Sequence, residues 1–200
     1  MKAVGWVEST GWLQFNASYN STGLTVISFD CGYGIMQITS GMSGGAGFDP
    51  ARVASSINYN IGTGARILVS SWNRSDIPPV GTNRPEFIEN WYYAIWAYNG
   101  FVFDNNPNNP AFSPNRPRWA CTTQNASQWP YQEKVLGCVT FPPDDPLAVV
   151  QPGDPRVTLW TPKLVTLPSR FDVSNPPQPL NDLSLRNGSC TRVFLPLVRR

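Results

Sequence analysis

Apolar residues fall into helical spacing at several places along this 200-residue chain and alternate weakly at one. Ile57, Ile61, Gly64, Leu68 and Trp72 follow one another at steps of three or four, which puts them on one face of a helix. Phe87, Trp91, Ala94, Ile95 and Tyr98 repeat the pattern, with Pro85 placed to open that helix and Asn99-Gly100 to close it. Residues 2–9 read as the last two turns of a helix stopped by Thr10-Gly11, and Tyr131–Leu136 as a closing helix. Ile35 to Met42 reads as a short helix ended by Ser43-Gly44-Gly45, and Asp49-Pro50 as a capped start for the helical region that follows. Leu24-Thr25-Val26-Ile27 alternates weakly inside the polar stretch 10–31, which predicts a loop or a short β-ribbon. Gly62 and Gly64 each cost about 1 kcal/mol against alanine inside a helix, so close helix–helix contact is expected as compensation.

The breaks in the pattern organise the rest. Residues 75–84 form a Pro/Gly loop, and residues 101–129 a long irregular excursion of the kind used for lids and binding loops. After Phe141 the character changes, with eleven prolines in residues 142–200 and a linker-like Pro142-Pro143-Asp144-Asp145-Pro146. Val157–Trp160, Leu164–Leu167 and Arg192–Leu195 are candidate strands there. The expectation is therefore a mainly α domain over residues 1–141, then a Pro-rich linker and small β-like tail over 142–200.

Composition narrows the chemistry. The chain has no histidine, which removes the Ser-His-Asp triad, the Cys-His pair and histidine zinc sites. Acid–base work then falls to a carboxylate, tyrosine, lysine or cysteine. Through residue 143 the only acids are Glu8, Asp30, Asp49, Asp76, Glu86, Glu89, Asp104 and Glu133. Eight basic residues balance them, and a neutral surface does not suit nucleic acid, which needs a dense basic patch. Eight Trp, seven Tyr and ten Phe suit a glycan better, although most such rings serve packing. The four cysteines contain no Cys-x-x-Cys, so no metal or cofactor is expected. Three disulfide pairings are open, with Cys121–Cys138 favoured because the two bracket the end of the excursion and the closing helix. No stretch is long and apolar enough to span a membrane, and residues 1–4 do not form a signal peptide.

Glu8 stands directly after Trp6 and Val7 in a segment almost free of charge, an environment that favours a protonated carboxyl. Beyond it come Gly34-Ile35-Met36-Gln37, Asn60-Ile61-Gly62-Thr63-Gly64 and Ala97-Tyr98-Asn99. That ordered set resembles the lysozyme-like domain of SLT-type soluble lytic transglycosylases, matching the family's Glu-Ser pair, Gly-Leu-Met-Gln turn, Asn-Ile-x-x-Gly helix start and Ala-Tyr-Asn. The resemblance covers about residues 1–141 and implies a helical lysozyme-like fold. It implies cleavage of the bond between N-acetylmuramic acid and N-acetylglucosamine in peptidoglycan, with Glu8 as the one general acid/base and a 1,6-anhydro product. It further implies sugar contacts from Ser9, Met36, Gln37, Tyr98 and Asn99, with Tyr98 also donating its phenol to Glu8. Ser9 can equally cap its helix, and Asn99 can cap instead of touching substrate, so Tyr98 is favoured over Asn99. An extracytoplasmic location follows from the family, as does a longer helix and an export signal upstream of Glu8.

Two alternatives stay open at this level. A goose-type muramidase would use a second carboxylate, and Asp30, four residues before Gly34, is the candidate to position a water. A protein that kept the fold for glycan binding alone is the other.

Overall fold

A computed structural model of the chain describes residues 1–16, 23–121, 126–143 and 165–167. Five helices carry it: α1 (Lys2–Ser9), α2 (Pro50–Ser55), α3 (Ile57–Trp72), α4 (Tyr92–Tyr98) and α5 (Tyr131–Thr140). Helix takes 42% of the described residues and strand 4%, so the mainly α expectation holds. The chain divides into two compact units between Val69 and Ser70. That division runs inside the stretch that the sequence presents as one domain.

In the first unit, α1 ends where Thr10 turns left-handed, at φ 54°, and Gly11 follows. Asp49 caps α2 by accepting from Ala51 N and Arg52 N, and Pro50 fills the first turn, as the sequence predicts. The polar stretch holds a small antiparallel ribbon with bridges Phe15–Thr25, Ile27–Tyr33 and Tyr33–Ile38. The last bridge replaces the helix expected from Ile35 to Met42. Gly34 at φ 69° and Gln37 at φ 46° are both left-handed, which folds the segment into a tight reverse turn, and Gly41 at φ 86° prevents a helix beyond it.

The long helix α3 is present, but its buried face is displaced from the apolar one. Ile57 is 43% exposed, whereas Asn60, Thr63, Gly64, Leu68 and Ser71 are buried. Polar side chains therefore make part of the inner face. Gly64 does accept a close neighbour: a Cβ there would lie 2.8 Å from Met36 Cβ. Gly62 has nothing within 4 Å, so only one of the two glycines answers to packing.

In the second unit, the helix expected from Pro85 begins later. Ile88–Trp91 is a 3-10 turn, and α4 proper starts at Tyr92. Tyr92 to Ala97 are all buried, and Trp96 packs on Phe101 with ring centroids 4.5 Å apart. The excursion after α4 is irregular, as expected, yet firmly tied. Arg116 makes a two-pronged bond to Glu133 of α5 (Nε–Oε2 2.8 Å, Nη2–Oε1 2.6 Å) and also donates to the carbonyls of Ser113 and Pro107. Both side chains of the pair are more than nine-tenths buried. Burial first, and the Glu133 charge second, push the neighbouring Tyr92 phenol far above its ordinary value, so it stays neutral.

The Cys121–Cys138 disulfide is present, with Cα atoms 4.9 Å apart. Closing that loop contributes about 3 kcal/mol on the chain-entropy model. The double variant Cys121→Ser/Cys138→Ser is expected to lower the melting temperature by about 5 °C or more, read by circular dichroism against the parent chain. An unchanged melt would show that the bridge adds nothing to the ties that Arg116 already makes.

Of residues 142–200 only 142–143 and 165–167 are described. Val165 is 1% exposed, and Thr166 N donates to Glu89 Oε1. These residues form no strand; the candidate strands at 157–160 and 192–195 and the linker at 144–146 lie outside the described residues.

Candidate active site

The first unit gathers three of the four sequence motifs around one turn. Gly34-Ile35-Met36-Gln37 is held by two buried carboxamides, Gln14 at 3% exposure and Asn60 at 0%. Gln14 accepts from Ile35 N at 3.0 Å and donates to the carbonyls of Val53 (3.1 Å) and Ala54 (2.9 Å) at the end of α2. Asn60, near the start of α3, accepts from Met36 N at 2.9 Å and donates to Tyr33 O (2.8 Å) and Val53 O (3.0 Å). The two side chains form a latch: each uses both its oxygen and its nitrogen, as a carboxamide can.

Met36 is 1% exposed and wedges between α1 and α3. A Cβ on Gly5 would lie 3.3 Å from its sulfur, and one on Gly64 within 2.9 Å of its side-chain carbons. The wedge therefore presses on the side of α1 that carries Glu8, one helical turn beyond Gly5. Glu8 itself is half-buried. Met36 meets the core rather than solvent, so its part is to set the turn against α1.

Ser9 is also buried, and its hydroxyl donates to Gly5 O at 2.7 Å while accepting from Leu13 N at 2.8 Å. That is the capping role. Gln37 turns its amide back on its own turn, Nε2 donating to Gly34 O at 2.7 Å. Its Oε1 is buried with no hydrogen-bond partner. Asp30 accepts from the Ser28 hydroxyl, which in turn accepts from Gly32 N at 2.9 Å, so this carboxylate braces the ribbon turn before Gly34. Cys31 beside it is disulfide-bonded.

Tyr98 and Asn99 belong to the second unit, at the end of α4. Asn99 N bonds back to Trp96 O, and Asn99 Oδ1 accepts from Asn105 Nδ2 at 2.9 Å. Asn105 then accepts from Tyr131 N (2.8 Å), and its carbonyl accepts from Gln132 Nε2 (2.8 Å). Asn99 is thus the first link in a chain that fastens the excursion to α5.

Comparison with protein-family models, curated proteins and solved structures finds no match. The site's chemistry therefore rests on its residues. No group of three or more acidic, histidine or cysteine side chains among the described residues could hold a metal ion, and no described helix could cross a membrane. Sequence reading missed Gln14. Its one signal was a lone amide inside a loop of Ser, Thr and Asn, which looks like any other solvated position. The other missed signal is backbone strain: Thr10, Trp12, Cys31 and Gln37 all take positive φ between the end of α1 and the turn. Such residues persist where the surrounding structure over-determines them, and they cluster at functional sites.

Proposed function

We propose that the chain is a peptidoglycan lytic transglycosylase that cleaves the bond between N-acetylmuramic acid and N-acetylglucosamine, with Glu8 as the single general acid/base. The observation that carries this reading is the latch. Gln14 and Asn60 hold the Gly34–Gln37 turn, and Met36 within it presses on the Glu8 side of α1. Glu8-Ser9, the turn and the start of α3 are the motifs of the resemblance, and the first unit brings them together.

In the proposed reaction a protonated Glu8 donates to the glycosidic oxygen as the bond to the muramyl C1 breaks. The substrate's N-acetyl group shares the positive charge at C1, in place of the second carboxylate that most glycosidases require. The Glu8 carboxylate then takes the proton of the muramyl C6 hydroxyl as that oxygen bonds to C1, which closes the anhydro ring. Glu8 ends protonated, ready for the next bond. An extracytoplasmic site of action follows from the substrate.

Asp30 favours this reading over a muramidase, because its carboxylate is engaged with Ser28 in the ribbon turn. Glu8→Gln is expected to lower the release of soluble fragments from purified sacculi by about a hundredfold or more, the scale of one acid–base group. Asp30→Asn should stay within a few fold, since an amide oxygen still accepts the Ser28 hydroxyl. Products should be lighter than hydrolytic ones by one water. Near-normal turnover by Glu8→Gln would remove the assignment, and reducing-end products with a crippled Asp30→Asn would make the enzyme a hydrolase.

A further inference from the structure

A second candidate site lies entirely within the second unit. A cavity of about 210 Å³ opens between the end of α3, the loop 73–83 and the first turn of α4. That is room for one ring-sized molecule. Tyr93 and Ala94 line it from the start of α4, whereas Tyr98-Asn99 close that helix at its other end.

Its lining has three properties that together select a ligand class. The first is an aromatic wall: Trp72 lines the cavity and is braced by Trp91 at 4.4 Å between centroids, with Trp91 itself fixed by its Nε1 bond to Pro85 O. The second is uncommitted polarity, because no hydrogen bond among the described residues engages the side chains of Ser71, Asn73 or Asn83. A hydroxyl and two carboxamides offer donors and acceptors side by side, the match for a ring of hydroxyls that each donate and accept. The third is electrical neutrality. Arg74 lines the cavity, but its guanidinium is spent on Asp76 through two bonds (3.0 and 2.6 Å). That bond holds the Asp76 carboxyl below its ordinary range, so the pair stays ionised and self-cancelling near neutral pH. A phosphate or carboxylate ligand would have to displace Asp76, whereas a neutral one need not.

The loop wall is also built in advance. Buried Asn90 donates to Thr82 Oγ1 and to Arg84 O, both at 2.9 Å, and its Oδ1 lies where a Cβ on Gly81 would fall. Asn83 holds a left-handed φ of 54° beside it. A pocket pre-shaped in this way loses little entropy when it fills.

From aromatic wall, free amides and cancelled charge, we infer that this cavity is a non-catalytic binding site for a single neutral sugar ring. One ring and a few hydrogen bonds give weak binding, on the order of a millimolar dissociation constant. In a chain that cuts glycan strands, such a site would bind a sugar without acting on it. The inference itself stands on the pocket and not on Glu8.

The test uses the full chain and methyl β-N-acetylglucosaminide as probe, titrated by saturation-transfer NMR. Saturable binding is expected, about tenfold weaker or worse in the double variant Asn73→Ala/Asn83→Ala, which deletes two hydrogen-bonding side chains at exposed positions. Binding should be unchanged in Glu8→Gln. Absence of saturable binding up to about 50 mM would overturn the site, as would retention in the double variant. Loss in Glu8→Gln would move the sugar to the catalytic acid and overturn it as well. Competition by sodium acetate would show an anion pocket, contrary to the inference. A lytically inactive chain that still binds the probe through Asn73 and Asn83 would sink the proposed reaction and leave this site standing.

Discussion

Glu133→Gln is expected to destabilise the protein by about 3–5 kcal/mol, because it leaves the Arg116 guanidinium buried without its counter-charge. The size follows from what the pair replaces. Arg116 donates to Ser113 O and Pro107 O as well as to both Glu133 oxygens, so four bonds converge on one cation that water does not reach. Taking one partner away does not return the other to solvent, since the excursion closes over it. A shift of this size lowers the melting temperature by roughly 10 °C for a chain of this length. The same argument makes a second, opposite expectation for the joint change Arg116→Met/Glu133→Leu. Removing both charges abolishes the desolvation cost together with the attraction, and such replacements are often near neutral. A double-mutant cycle by urea denaturation reads both. A single variant within about 1 kcal/mol of the parent would show that Arg116 reaches water after all.

Gly34→Ala is expected to cost about 3–4 kcal/mol, and Gly62→Ala to stabilise by up to about 1 kcal/mol. The contrast comes from position, not from residue type. At Gly34, φ is 69°, where an L side chain costs about 1–2 kcal/mol. A Cβ would also lie 2.5 Å from Gln14 Nε2 and 2.6 Å from Asn60 Nδ2. Both amides are buried and must shift, and each hydrogen bond that fails leaves a polar group unsatisfied at about 1–3 kcal/mol. At Gly62 the surroundings are empty within 4 Å and the position is exposed, so only helix propensity acts, and it favours alanine. Denaturation curves of the two variants are predicted to move in opposite directions. Equal shifts would mean that the latch yields without cost and that the turn is not held as described.

The elements whose start or stop is a local signal were legible in the chain itself. Asp49-Pro50 opened α2, Thr10-Gly11 closed α1, and the spacing of Ile61, Gly64 and Leu68 identified α3. What periodicity could not reveal was the inward side of α3, since Asn60 and Thr63 are buried for their hydrogen bonds and not for their hydrophobicity. Residues 35–42 read as a helix because Ile35, Met36 and Ile38 are apolar and close together, whereas residues 34–37 form a tight turn. Its geometry is imposed from residues 14 and 60, too far along the chain for any window to see. The same distance hid Gln14 and the ion pair of Arg116 with Glu133. The motifs found in order along the sequence named Glu8, Ser9, Met36 and Gln37, and the first unit assembles their elements. Their individual tasks needed coordinates: a cap for Ser9, a wedge for Met36, a self-bonded turn for Gln37.

The latch has one further property. It is made wholly of carboxamides, peptide N–H groups and carbonyls, none of which gains or loses a proton between strongly acid and strongly alkaline solution. No histidine exists anywhere in the chain to act as a switch near neutrality. The hydrogen bonds of the latch itself are therefore deaf to acidity and to ionic strength alike. In the proposed reaction the Glu8 carboxyl would change its charge twice in every turnover while the groups that hold the turn keep theirs.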